Sequence, residues 1–145
     1  MKRLYLLAVF CFLAVTAFAQ SAAEIEELLS VKAVTYEEAA RFVLRVAEVQ
    51  GWSGPEAFGF AAERKWLPAK AEAGGRARLD GLSLLIMRSF GLNGGLFFTL
   101  TKNSRYAYRE LLYRGIIQGR ADPGMEVSGP FLLFMVGEAL SRTEG

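Results

Sequence analysis

Few side chains in this chain combine the type and the spacing that chemistry needs. The neighbouring carboxylates Glu37-Glu38 sit at the head of an apolar run, where a carboxyl pair can divide acid and base roles. Adjacent helical positions diverge by about 100°, however, so the two do not face one substrate. The Thr35-x-x-Glu38 spacing instead makes Glu38 the return partner of a helix cap. Gly91-Leu92-Asn93-Gly94-Gly95 has the glycine density of a phosphate cradle, but it lacks a following lysine and the P-loop spacing, and so reads as a hinge. Asp122-Pro123-Gly124 offers one carboxylate in a turn, too few oxygens for calcium. Trp52, Trp66, Tyr106, Tyr108 and Tyr113 suit a sugar platform, although rim packing uses the same side chains without a ligand. Histidine is absent and Cys11 is the single cysteine. Imidazole catalysis and cysteine–histidine metal sites are therefore not expected. The reading is of a chain with no catalytic residues, no metal and no cofactor.

The elements that would position any site begin after an export signal. Lys2 and Arg3 precede an apolar run over 4–16, and Ala17-Phe18-Ala19 supplies the small residues that signal peptidase reads. Cleavage before Gln20 is expected, leaving 20–145 as one helical domain. Cys11 follows Phe10 in mid-run, so lipidation is not expected. Its loss leaves the mature chain without a thiol, and so without thiolate catalysis or disulfides. Without Lys2 and Arg3, the 17 basic residues fall to 15 and match the 15 acidic ones. A neutral chain gives no electrostatic reason for a nucleic-acid partner. The apolar stretch over 82–100 is interrupted by Arg88, Asn93, Gly94 and Gly95, so stable membrane insertion of the mature chain is not expected.

Laid against itself, the chain repeats. A shift of 50 positions places 56–91 over 106–141 without a gap, matching Ala57 with Ala107, Arg64 with Arg114, Ala71 with Ala121 and Leu82 with Leu132. Residues 34–49 match the second half of each unit, with Val34 over Ala77 and Val127, and Arg45 over Arg88. The units are expected at about 24–49, 55–91 and 105–142. None of them buries its apolar face alone.

Helix signals follow the same division. Thr35 and Glu38 form a capping box, Ser53 and Glu56 a second start with Pro55 inside it, and Ser128-Gly129-Pro130 opens the last helix. Asn103-Ser104 can cap the helix that carries Tyr108, Leu111 and Leu112. The leading helix of the first unit is expected at Ile25 to Leu29, and the 96–100 run is ambiguous between strand and helix. Residues 82–87 and 131–136 are apolar around most of their circumference and so predict buried helices, with Phe134 in the core. The second helix of each unit should line the core.

The third unit resembles the S-layer homology domain. That family's units read as an Ala-aromatic helix, Gly-Ile-Ile-x-Gly, an acidic turn, then a Thr-Arg-Ala-Glu-type helix start. Here the corresponding residues are Tyr106-Ala107-Tyr108, then Gly115-Ile116-Ile117-Gln118-Gly119-Arg120-Ala121-Asp122-Pro123-Gly124, then Val127-Ser128. The first unit supplies Val34-Thr35-Tyr36-Glu37-Glu38-Ala39-Ala40. Across three units the resemblance covers about 24–142. It implies an all-α fold, a pseudo-threefold bundle of three helix-loop-helix repeats, with a polysaccharide groove between units.

The family's arginine in Thr-Arg-Ala-Glu is replaced here by Tyr36, Leu79 and Gly129. An acidic sugar is thereby deprived of a bidentate donor. The candidate binding residues are Arg78, Arg120 and Trp66. The leading expectation is a non-enzymatic exported module, periplasmic or at the cell surface, docking on another cell-envelope protein. The alternative is weak binding of a cell-wall glycan.

Overall fold

Seven helices carry the regular structure of the residues that the computed structural model describes, 21–49, 53–119 and 121–144. They are α1 (21–30), α2 (Tyr36–Val46), α3 (Gly54–Glu63), α4 (Leu79–Ser89), α5 (Leu96–Thr101), α6 (Ser104–Tyr113) and α7 (Gly129–Thr143). The fold is all-helical. Among the described residues there is no strand, only the isolated bridges Thr35–Arg76 and Arg78–Glu126. The expected export signal, Trp52 and Arg120 lie outside the described residues. No described helix is long and apolar enough to cross a membrane.

The helices start where their caps dictate. The first amide groups of a helix have no partner inside it, and short polar side chains supply one. Thr35 Oγ1 accepts from the Glu38 amide at 3.2 Å, and the Glu38 carboxylate accepts from the Thr35 amide at 2.8 Å. At α3 the Glu56 carboxylate accepts from the Ser53 amide and hydroxyl, at 3.1 and 2.8 Å. Asn103 accepts from the Arg105 amide at 2.8 Å, and Ser128 Oγ from the Phe131 amide at 3.3 Å. Arg78 caps α4 in extended conformation but lends it no side-chain bond. The helices also end in register: Glu48 and Gly91, then Lys65 and Gly115, follow α2, α4, α3 and α6 with positive φ of 57°, 61°, 58° and 70°.

The segments leading into α2, α4 and α7 meet at the centre. The Val34 amide donates to the Val127 carbonyl at 2.9 Å, the Val127 amide to Ala77 at 3.2 Å, and the Ala77 amide to Val34 at 2.8 Å. This closes a cycle of three bonds among three fully buried residues. Each following helix then donates its first amide to a neighbouring loop: Tyr36 to Gly75 at 3.1 Å, Leu79 to Met125 at 2.9 Å and Gly129 to Val31 at 2.9 Å. Buried backbone groups outside helices need such partners. The helices that follow bury Ala39 and Val43 of α2, Leu82 and Ile86 of α4, and Leu132 and Val136 of α7 in the same core. From α1, Glu24 reaches α2 between Arg41, at 3.1 Å, and Arg45.

Three expectations change. Phe134 is 43 % exposed and is not core. Helix α7 buries Leu132, Met135, Val136 and Ala139, a single stripe at helical spacing, and Phe134 projects from its outer side. Composition alone had made that helix look apolar all round; α4 is the one that buries every position from Gly81 to Met87. The leading helix spans at least 21–30 rather than Ile25 to Leu29, and the ambiguous run is helix α5.

Candidate functional site

A groove of about 240 Å³ opens where the start of α2, the 68–78 loop and the start of α4 converge. Tyr36 and Pro68 line it, and both press against Gly81. A Cβ at Gly81 would lie 2.9 Å from Tyr36 Cε1 and 3.0 Å from Pro68 Cγ, so only glycine admits the ring here. Around the mouth stand three cations, Lys70, Arg76 and Arg78, against two carboxylates, Glu72 and Asp80. Arg76 is anchored, donating from Nη1 to the Ala33 carbonyl at 2.6 Å. Arg78 is 59 % exposed and its Nε lies 3.9 Å from Asp80, a loose pair that contributes little by itself.

Tyr36 is buried. Its hydroxyl accepts from the Arg78 amide at 3.3 Å. Burial raises its pKa above the usual tyrosine value; the Arg78 amide opposes this and the Asp80 charge adds to it. A group with a raised folded pKa stabilises the fold below its unfolded value, and that contribution disappears as pH climbs through the folded one. Tyr36→Phe should therefore lose about 1 kcal/mol at neutral pH, from the stranded Arg78 amide, and should melt with a weaker alkaline decline than the parent. Denaturant melts at pH 7 and at about pH 11 check both parts. An unchanged alkaline slope would count against Tyr36 as the group responsible.

The predicted site residues are only partly gathered. Arg78 lines the groove, and because it is an extended N-cap residue rather than a helical one, its direction is set by the loop. Trp66 does not line the groove. It is half-buried, edge-on to Phe60 with centroids 5.6 Å apart, and the Arg88 guanidinium lies 6.0 Å from its ring. Arg120 lies outside the described residues. No family model, curated protein or solved structure matches this chain. Sequence reasoning passed over Tyr36, Lys70, Glu72 and Asp80 as groove residues, because they come together only in the tertiary structure.

Chemically the groove sets three cationic donors beside two carboxylates and one tyrosine hydroxyl, and the other motifs singled out in the sequence lie outside it. Glu38 is committed to its cap, Asp122 accepts from the Gly124 amide at 2.6 Å as a turn residue, and Gly91-Leu92-Asn93-Gly94-Gly95 serves as a connection into α5. Among the described residues there is no group of three or more metal-ligating side chains.

Proposed function

We propose that this chain is an exported, non-enzymatic module of the cell envelope that docks another envelope protein. It is built of three units similar to S-layer homology repeats, set about a pseudo-threefold axis. Support for the threefold comes from register. The helix caps Thr35, Arg78 and Ser128 stand 43 and 50 residues apart, as do Val34, Ala77 and Val127 in the cyclic bonding. Ser53 and Asn103 repeat the 50-residue spacing ahead of α3 and α6.

The observation that carries the docking reading is the fate of the three arginine positions. Tyr36, Leu79 and Gly129 are all buried in the packing between units, so none presents a charge to a groove. A repeat domain stripped of its sugar-binding cation keeps a rigid surface, and fold does not carry function with it. Arg and Trp are enriched among the side chains that anchor protein interfaces, which makes Arg78, Arg120 and Trp66 the residues to test. The cluster of Lys70, Arg76 and Arg78 keeps a second reading, weak binding of an acidic wall glycan, in view.

One experiment separates them. The Arg78→Ala and Arg120→Ala variants are compared with the parent for sedimentation with purified cell wall and for crosslinked partner recovered from intact envelopes. The docking reading expects negligible sedimentation and a roughly 10- to 30-fold loss of partner recovery, the size of an interface hot spot. Tight sedimentation by the parent that the variants lose would replace docking with polysaccharide anchoring.

A further inference from the structure

The most conspicuous apolar surface lies on α5. Helix α5 buries Phe98 and turns Leu96, Phe97 and Leu100 outward, 69 %, 63 % and 73 % exposed. An exposed apolar face of this kind marks an interaction site more often than a folding remnant. The helix is also held in place. The Glu110 carboxylate accepts from the Gly95 amide at 2.7 Å, Arg114 donates to the Asn93 carbonyl, and Thr99 donates to the Gly94 carbonyl at 3.2 Å. Phe97 stacks on Tyr106 of α6 with centroids 5.5 Å apart and planes 15° apart.

That stack joins the face to a cationic stripe. On α6, Arg105 and Arg109 lie within about 60–100° of Tyr106 around the helix, and Tyr113 within about 20° of it. Lys102, Arg105 and Arg109 are exposed, and Tyr113 is 90 % exposed. No carboxylate occurs from 81 to 109, and the next one, Glu110, is engaged with Gly95 and lies 3.9 Å from Arg114. At the far end of α5 a cleft of about 660 Å³ is lined by Lys65, Thr101, Lys102, Asn103 and Ser104 among apolar residues, and by no carboxylate.

We propose that the α5–α6 face seats the protein on an anionic phospholipid surface. Leu96, Phe97 and Leu100 enter the boundary between headgroups and acyl chains, Tyr106 and Tyr113 lie at headgroup level, and Lys102, Arg105 and Arg109 meet the phosphates. Amphipathic aromatics and flanking cations favour that boundary. The attachment is peripheral and spans nothing. A protein partner suits the face less well: a stable interface buries about 1,200–2,000 Å² in all, whereas the apolar surface here is three side chains on one short helix. Interfacial insertion needs no more than a few such side chains beside attraction to anionic lipid.

The test is vesicle co-sedimentation of the chain as purified from producing cells, so that parent and variants share whatever N-terminus it carries. Phosphatidylcholine vesicles are compared with vesicles containing about one quarter phosphatidylglycerol. Leu96→Ser/Leu100→Ser and Arg105→Glu/Arg109→Glu remove the apolar and cationic parts separately, at exposed positions where thermal melts should match the parent. The expected result is at least tenfold stronger partition onto the anionic vesicles, reversed by high salt as an exposed-charge interaction must be, and a tenfold loss in each variant. Equal partition onto both vesicles would overturn the proposal, as would variants that bind like the parent. Absence of vesicle binding, with the serine variant losing a crosslink to an envelope protein, would make this a protein-docking face instead.

Discussion

Replacing Gly129 by alanine should unseat α1 from the bundle and lower stability by on the order of 3 kcal/mol, at the severe end of overpacking. A Cβ at this position would overlap the Leu28 carbonyl oxygen and lie 2.7 Å from its carbon. Those are backbone atoms, so no rotamer change relieves the contact. The Gly129 amide also donates to the Val31 carbonyl at 2.9 Å, so the displacement breaks the bond that ties α7 to the end of α1. The control lies in the same helix. A Cβ added at Gly137 would meet no neighbouring element within 4 Å, and its replacement by alanine should raise stability by roughly 0.5–1 kcal/mol. Thermal melts of the two variants check the prediction, with hydrogen exchange at the Gly129 amide reporting on the local bond. Two variants that melt alike would show that α1 does not press on α7 as described.

Leu82→Ala should be comparably damaging, costing about 2–5 kcal/mol, while Phe134→Ala should change little. Leu82 is fully buried in the core, on a helix buried at every position from Gly81 to Met87. Phe134, 43 % exposed, leaves much of its ring in water in the parent as well. Paired melts should separate the variants by roughly 10 °C. A Phe134→Ala protein as unstable as Leu82→Ala would return that ring to the core.

Much of the local structure was legible. Thr35-x-x-Glu38 and Ser53-x-x-Glu56 mark helix starts because a carboxylate three residues on accepts from the cap amide within one turn, and Thr35 returns the bond to the Glu38 amide. The self-alignment placed Val34 over Ala77 and Val127, and those three residues exchange the central hydrogen bonds. The groove was less legible. Arg78 was within reach because an arginine just ahead of a helix start is visible in the chain. Trp66 was not, because its partners Phe60 and Arg88 come from two different helices. Nothing local distinguishes a tryptophan that stacks on a sugar from one that stacks on a phenylalanine.

By itself, then, the sequence determined the helical class and the cap positions, both of which depend on groups within a turn or two of one another. The tertiary structure decided which faces of those helices water sees. Helices α4 and α7 are similarly apolar, yet α4 is enclosed between α2 and α6 while α7 leaves Phe134 outside. Helix α5 likewise could bury either face, and the Glu110, Arg114 and Tyr106 contacts of α6 and its flank set Phe98 inward and Leu96, Phe97 and Leu100 outward. Burial is a property of the neighbours a side chain acquires, and those neighbours are distant in the chain.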